Sequence, residues 1–296
     1  MIGTREQRLG VLSALGAFAF WGIVPVYFKA VGPAGPSEIL CHRIFWSVPF
    51  TALLLTLGRN WGGLARAVRS RRVLLTLFAS AILVASNWLI FIYSVNSGQL
   101  LAASLGYFIN PLINVLLGLI FLRERLRPRQ ILAVLLAAAG TINLTASLGT
   151  LPWISLALGF SFGFYGLLRK TVKIDSLGGL FVETSLLFPL SLAYFAYLFL
   201  DDRLAFGYAG WSLTLLLALA GVVTSAPLLA FTAGARRLRY ATLGLIQYVA
   251  PTLQFLLAVL AYSEPFTRTH LITFTLIWAG LIVFMLDSFA GQGSAV

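Results

Sequence analysis

The side chains of this chain that could do chemistry are few, and they recur at one spacing. Tyr107, Asn110 and Asn114 stand at i, i+3 and i+7, which on a helix puts them along one face. Gln247 and Gln254 occupy the first and last of these places 140 residues later. Each stripe contains a proline, Pro111 or Pro251. A proline inside a helix cannot donate to the carbonyl four residues before it, so helix breaks are expected at both, freeing the carbonyls of Tyr107 and Gln247. In hydrocarbon such groups need a protein partner or a water-lined cavity. Amides beside bare carbonyls suit a polar solute, and Asn87 joins the set. The plainer alternative is that these amides only bond neighbouring helices, as Asn and Gln often do in membranes.

Two ionisable groups are related by the same offset, Arg43 and Glu183. Arg43 falls about 9 Å from the outer end of its apolar run, at 1.5 Å of rise per residue. An arginine deep in a bilayer costs roughly 2.5–3.5 kcal/mol on insertion scales, and snorkelling to the headgroups is the alternative. Glu183 falls about 9 Å from the inner end of its own run, so the two should lie about 12 Å apart along the normal of a 30 Å core. No direct ion pair between them is expected; each should line the approach from one side. Glu183, taken as the carboxylate lying within a span, is the candidate for proton coupling, with a structural hydrogen bond as the alternative.

Other chemistry is poorly supported. Gly159-Phe160-Ser161-Phe162-Gly163 has the G-x-S-x-G form of a hydrolase nucleophile. It lies within an apolar run, however, and its glycines equally form a G-x-x-x-G packing face. A serine hydrolase needs a base, and both histidines, His42 and His270, lie toward the outer side. Cys41 is the single cysteine, which removes disulfides and cysteine metal clusters. There is no G-x-x-x-x-G-K-[ST] nucleotide loop. No catalytic residue, metal or cofactor is expected.

These residues are carried by a chain that is 59% hydrophobic and only 10% charged, against about 25% charged in soluble domains. A membrane span needs about 20 apolar residues, and ten runs of about that length can be marked: 9–30, 37–57, 73–95, 101–122, 130–147, 151–168, 177–199, 211–232, 241–262 and 269–289. The connections are too short for a soluble domain. The net charge of +12 is a matter of loop placement. With the N-terminus inside, Arg5, Arg8, the arginines of 59–72 and 123–129, Arg169, Lys170, Lys173, Arg236, Arg237 and Arg239 are cytoplasmic. Only Lys29, Arg203 and Arg268 lie outside. This asymmetry predicts cytoplasmic termini and makes the basic excess an insertion signal, with no nucleic-acid partner. The first apolar run reads as an uncleaved span.

The 140-residue offset extends well beyond the stripes. It aligns Pro49 with Pro189, Phe91 with Phe231, Leu116-Leu117 with Leu256-Leu257, Glu124 with Glu264 and Ala139-Gly140 with Ala279-Gly280. Near the start of each copy the offset becomes 144, aligning Phe18-Ala19-Phe20-Trp21-Gly22 with Phe162-Gly163-Phe164-Tyr165-Gly166. The expected fold is an all-α integral membrane protein of ten transmembrane helices, built as a 5+5 inverted repeat with units 1–148 and 149–296. An odd number of spans per unit inserts the second copy upside down, the arrangement by which secondary transporters alternate between two states.

The chain also resembles the RarD-type permeases of the EamA branch of the drug/metabolite transporter superfamily. The resemblance rests on Trp21-Gly22 with Pro25 and Tyr27-Phe28-Lys29, Glu38-Ile39-Leu40 with His42-Arg43, Asn87-Trp88 through Asn96, and Ser104 to Pro111. It continues through Phe162 to Gly166 with Arg169-Lys170, Pro227-Leu228-Leu229 and Leu243 to Pro251. It implies ten helices, an inner-membrane location and a carrier role, and adds Trp21 to the expected substrate pathway. The family's association with chloramphenicol sensitivity leaves the substrate open. The resulting expectation is a cytoplasmic-membrane permease or exporter that moves a small metabolite or amphiphilic drug by alternating access. A lipid-carrier flippase and a non-transporting membrane subunit are the alternatives. Its partners are the lipid bilayer and a small-molecule substrate, and a homodimer is compatible with this reading.

Overall fold

The computed structural model describes residues 5–96, 100–148, 153–262 and 267–290, and among these every regular element is helical. Glu264 and the divide between the halves at 149–152 lie outside the described residues. The elements are α1 (Arg5–Ile23), α2 (Pro25–Ala30), α3 (Pro36–Leu57), α4 (Trp61–Val68), α5 (Arg71–Asn96), α6 (Leu100–Phe121) and α7 (Pro128–Leu148). The second half contributes α8 (Trp153–Thr171), α9 (Ser176–Leu200), α10 (Trp211–Ala218), α11 (Ala220–Arg237), α12 (Tyr240–Ile246), α13 (Val249–Tyr262) and α14 (Arg268–Ala290).

Among the described residues six stretches are long and apolar enough to cross a membrane: Arg5–Ala30, Pro36–Leu57, Arg71–Ser94, Pro128–Ser147, Ser176–Leu200 and Trp211–Arg237. Gly106–Phe121, Thr242–Leu257 and Arg268–Phe284 are shorter apolar helices. A helix satisfies its own backbone groups, which is why long apolar runs adopt it where water is absent. Outward side chains such as Leu135, Leu190 and Leu260 stay exposed, the surface that lipid solvates.

The helix ends follow local chemistry. Pro25 and Pro36 sit at the start of α2 and α3, where a missing N–H costs nothing. Asp175 caps α9 by accepting the Gly178 N–H at 2.5 Å. After α3 and α9 the chain turns through left-handed residues, Arg59 at φ 52° and Asp202 at φ 52°. The closing bonds are Asn60 N–H to Leu55 O at 3.0 Å and Arg203 N–H to Leu198 O at 2.9 Å, the six-to-one pattern of a helix C-cap. Three expectations change. The run 9–30 divides at Val24 into α1 and α2, the run 211–232 divides at Leu219, and the basic loop after α3 contains α4.

Packing joins the halves instead of separating them. α1 lies on α11, α12 and α13; α8 lies on α5 and α6; α3 contacts α9 and α11; α9 also contacts α5; α6 meets α12, and α7 meets α14. Exchanging each helix for its counterpart about 140 residues away reproduces the same set of pairs. The relation reaches atomic detail at α7 and α14. A Cβ at Gly140 would stand 2.9 Å from the Thr273 carbonyl oxygen, and one at Gly280 would stand 2.7 Å from that of Ala133. Thr273 and Ala133 are themselves 140 apart, so each glycine lets its helix approach the backbone of the other at equivalent points. The largest core cluster is likewise shared, with Phe18 of α1 edge-on to Phe231 of α11 at 5.9 Å.

Candidate functional site

The interruption between α12 and α13 shapes the centre of the molecule. Pro251 has no N–H to offer the Gln247 carbonyl, and the Ala250 N–H takes it instead at 3.1 Å, tightening the chain into a turn over Gln247 and Tyr248. Tyr248 is fully buried and its hydroxyl donates to the Phe108 carbonyl of α6 at 3.2 Å. Gln247 faces a cavity. The expected break at Pro111 is absent: α6 runs continuously from Leu100 to Phe121, so the two copies differ in backbone here although both keep the proline. The physical difference is that the second copy ends one helix at Ile246 and restarts it at Val249, two residues before its proline.

A partly open cavity lies here, spanning about 640 Å³ of non-atom space with its open mouth included. Its walls are Phe18 and Trp21 of α1, Val24, Phe28 of α2, Arg43 of α3, Asn87, Trp88 and Phe91 of α5, Tyr107 of α6, Phe162 of α8, Val223 of α11, Gln247 and Ala250. Two pairs of repeat counterparts line it together, Phe18 with Phe162 and Tyr107 with Gln247. Of the residues expected along a substrate pathway, Trp21, Arg43, Asn87, Tyr107 and Gln247 line this cavity. Asn114 stands directly behind, donating from Nδ2 to Gln247 Oε1 at 2.7 Å. Gln254 donates to the Trp21 carbonyl at 2.9 Å, bracing α1 against α13. Asn110 is buried between α6 and α8 and does not line the cavity.

Arg43 turns inward and does not snorkel, with 7% of its surface exposed. Its Nε donates to Thr224 Oγ1 at 3.0 Å, and its guanidinium carbon lies 4.3 Å from the ring centroid of Trp88 and 5.4 Å from that of Phe28. Such cation–π contacts contribute about 2 kcal/mol when desolvated. Asn87 donates to the Leu158 carbonyl and to Ser161 Oγ, both at 2.9 Å, tying α5 to α8.

Glu183 lies elsewhere. It accepts a short hydrogen bond from the Ser80 hydroxyl, and its Oε1 is 3.6 Å from Nε of Arg169, a fully buried residue in the last turn of α8. Arg169 Nη2 donates to the Ser176 carbonyl at 2.8 Å, and Gly179 leaves room for the guanidinium. Reading Arg169 as a loop cation from its place at the end of an apolar run missed this pair. Glu183 is also not alone among carboxylates within helices. Glu38 accepts the Ala205 and Phe206 N–H groups at 3.0 Å, and Asp287 of α14 is 3.8 Å from Arg127. Ser161 donates to its own helix at Ala157 O, and Gly159 and Gly163 press against Ile113 of α6, so this segment serves as a packing face. Among the described residues no group of three or more His, Cys, Asp or Glu could hold a metal ion.

The aromatic walls at Phe18, Phe28, Trp88, Phe91 and Phe162 were not singled out beforehand. Phe18 and Phe162 were visible as repeat markers, and their equivalence was the available signal. Phe91 was likewise a repeat marker, and Phe28 and Trp88 lie in stretches that carry the family resemblance; Thr224 carried no signal.

The family model for EamA-like transporters matches residues 8–146. An uncharacterized transporter of Vibrio cholerae serotype O1 is 47% identical over 96% of this chain and 94% of its own. The protein RarD of Salmonella typhi is 46% identical over 97% of this chain and 98% of its own, and RarD of Escherichia coli K12 is 44% identical over 97% of each. A solved crystal structure with 19% identity superposes at a TM-score of 0.68, covering 94% of this chain and 98% of the other, a likeness of fold.

Proposed function

The chain belongs to the EamA-like transporter family as a RarD-type permease, a multi-pass inner-membrane transporter, and from this premise we propose that it moves a small metabolite or amphiphilic drug by alternating access. The observation that carries the reading is the central cavity walled by counterparts of both halves, Phe18 with Phe162 and Tyr107 with Gln247. A ten-span, five-plus-five inverted repeat with cytoplasmic termini accounts for that pairing. Two equivalent halves rocking about one site would expose it first to one side and then to the other, with equal packing in both states. The interchangeable helix pairs and the reciprocal glycine contacts of Gly140 and Gly280 support this.

In this scheme the aromatic walls supply apolar area, while Arg43, Tyr107 and Gln247 orient a polar end. Asn114 and Gln254 hold the wall from behind. The Glu183–Arg169 pair is a packing and gating element between α8 and α9, and protonation of Glu183 is the coupling step this scheme allows. Counterflow in proteoliposomes of the purified protein tests the reading. Exchange of water-soluble solutes supports it, exchange restricted to lipids assigns a flippase, and no flux from folded protein overturns it.

A further inference from the structure

We infer that the central cavity takes an organic anion, a carboxylate carried on an aromatic or apolar body, with Arg43 as its counter-ion. The inference rests on the carrier reading and specifies its substrate class. Arg43 is nine-tenths buried, yet none of the ion pairs among the described residues involves it. Its one hydrogen bond uses Nε, on Thr224, which leaves the two Nη groups without a hydrogen-bond partner among the described residues. Among the described residues no carboxylate lines the cavity. The ring faces of Trp88 and Phe28 hold the guanidinium without neutralising it.

The neighbouring polar groups have the matching sense. Asn114 occupies Gln247 Oε1, so the Gln247 amide nitrogen is the end free to donate toward the cavity it lines. The Tyr107 hydroxyl, from the equivalent position of the other half, is a further donor on the same wall. A guanidinium, an amide N–H and a hydroxyl form a set of donors, and a planar carboxylate accepts from all three, two-pronged at the guanidinium. The rest of the wall is chiefly aromatic and receives an apolar body. A cation or a neutral solute would leave the buried arginine uncompensated.

The test uses full-length protein in detergent at pH 7, with 3-phenylpropionate and hexanoate each compared with its uncharged amide. Binding is read by tryptophan fluorescence, since Trp21 and Trp88 line the cavity, and by thermal shift. The carboxylates are expected to bind at least roughly 10-fold tighter than their amides, the increment of hydrogen bonds to a charged group. Arg43→Met should erase that preference. Because this variant can also lose stability, Gln247→Glu provides the second arm. It keeps the acceptor for Asn114 and places a carboxylate on the wall of the cavity that Arg43 also lines, so anion binding should be lost while the melting temperature holds or rises. Amides binding as well as carboxylates, no binding by either carboxylate, or a preference that survives both substitutions would overturn the inference. Counterflow separates the two readings: exchange of neutral solutes without carboxylate binding leaves the carrier intact and removes the anion, whereas carboxylate binding without flux of any solute removes the carrier.

Discussion

Asn114 of α6 and Gln247, in the turn between α12 and α13, meet through a 2.7 Å hydrogen bond, so the two polar stripes 140 residues apart in type touch at staggered positions. The Asn114 side chain is fully buried and its Oδ1 has no hydrogen-bond partner among the described residues, while Gly244 lets α12 close on α6 beside it. A single interhelical hydrogen bond in a membrane averages only about 0.6 kcal/mol, so its main effect is to orient the Gln247 amide. Asn114→Leu should therefore lower the melting temperature by a few degrees at most and weaken transport strongly. Counterflow and thermal unfolding of the same preparation check this. A large loss of stability with unchanged solute affinity would reduce the pair to packing.

The α7–α14 contact predicts equal responses at equivalent positions. Gly140→Ala and Gly280→Ala each push a methyl toward a backbone carbonyl and should destabilise by about 1–3 kcal/mol, the usual cost of overpacking. Gly16 of α1 has nothing within 4 Å of an added Cβ. Gly16→Ala should be neutral or stabilising by up to about 1 kcal/mol, by helix propensity. Denaturation of the three variants in one detergent provides the comparison.

Glu183→Gln leaves the buried Arg169 without its carboxylate, and breaking such a pair costs about 3–5 kcal/mol. Replacing both partners, as Arg169→Met with Glu183→Leu, should recover much of that loss, because two apolar groups need no compensation. If Glu183 also couples protons, Glu183→Gln vesicles that retain folded protein should exchange solute but fail to accumulate it along a pH gradient. Undiminished gradient-driven uptake would leave Glu183 with a structural role alone.

The existence of the helices was legible in the chain because about 20 apolar residues in a bilayer have almost no other option. Their interruptions were less so. α1 ends at Ile23, two residues before Pro25, yet Pro111 leaves α6 intact, and hydropathy is blind to that difference. The stripe of Tyr107, Asn110 and Asn114 followed from helical periodicity, but only packing decides that Tyr107 reaches the cavity and Asn110 the α6–α8 seam. Arg169 shows the limit most clearly. Its long side chain folds back from the end of α8 to Glu183, and that choice depends on Gly179 in α9, which no pattern along the chain connects to it.

Orientation can be read chemically. Arg69 and Arg236 are exposed on the side expected to be cytoplasmic, Arg203 is exposed on the other, and Cys41 is buried. In a Cys41→Ser background, an impermeant maleimide applied to intact cells should label Arg203→Cys and spare Arg69→Cys and Arg236→Cys. The reverse pattern would invert the topology.

The most direct measurement is two-sided access to the cavity itself. Val223 of α11 lines it, and Val223→Cys in a Cys41→Ser background is a small change that leaves the side chains of Arg43, Tyr107 and Gln247 themselves unaltered. Alternating access predicts labelling by an impermeant thiol reagent from outside in intact cells and from inside in inverted vesicles, both slowed by a transported solute. Labelling from one side only, with the other face unreactive whether or not solute is present, would contradict a central site shared between two exchanging states.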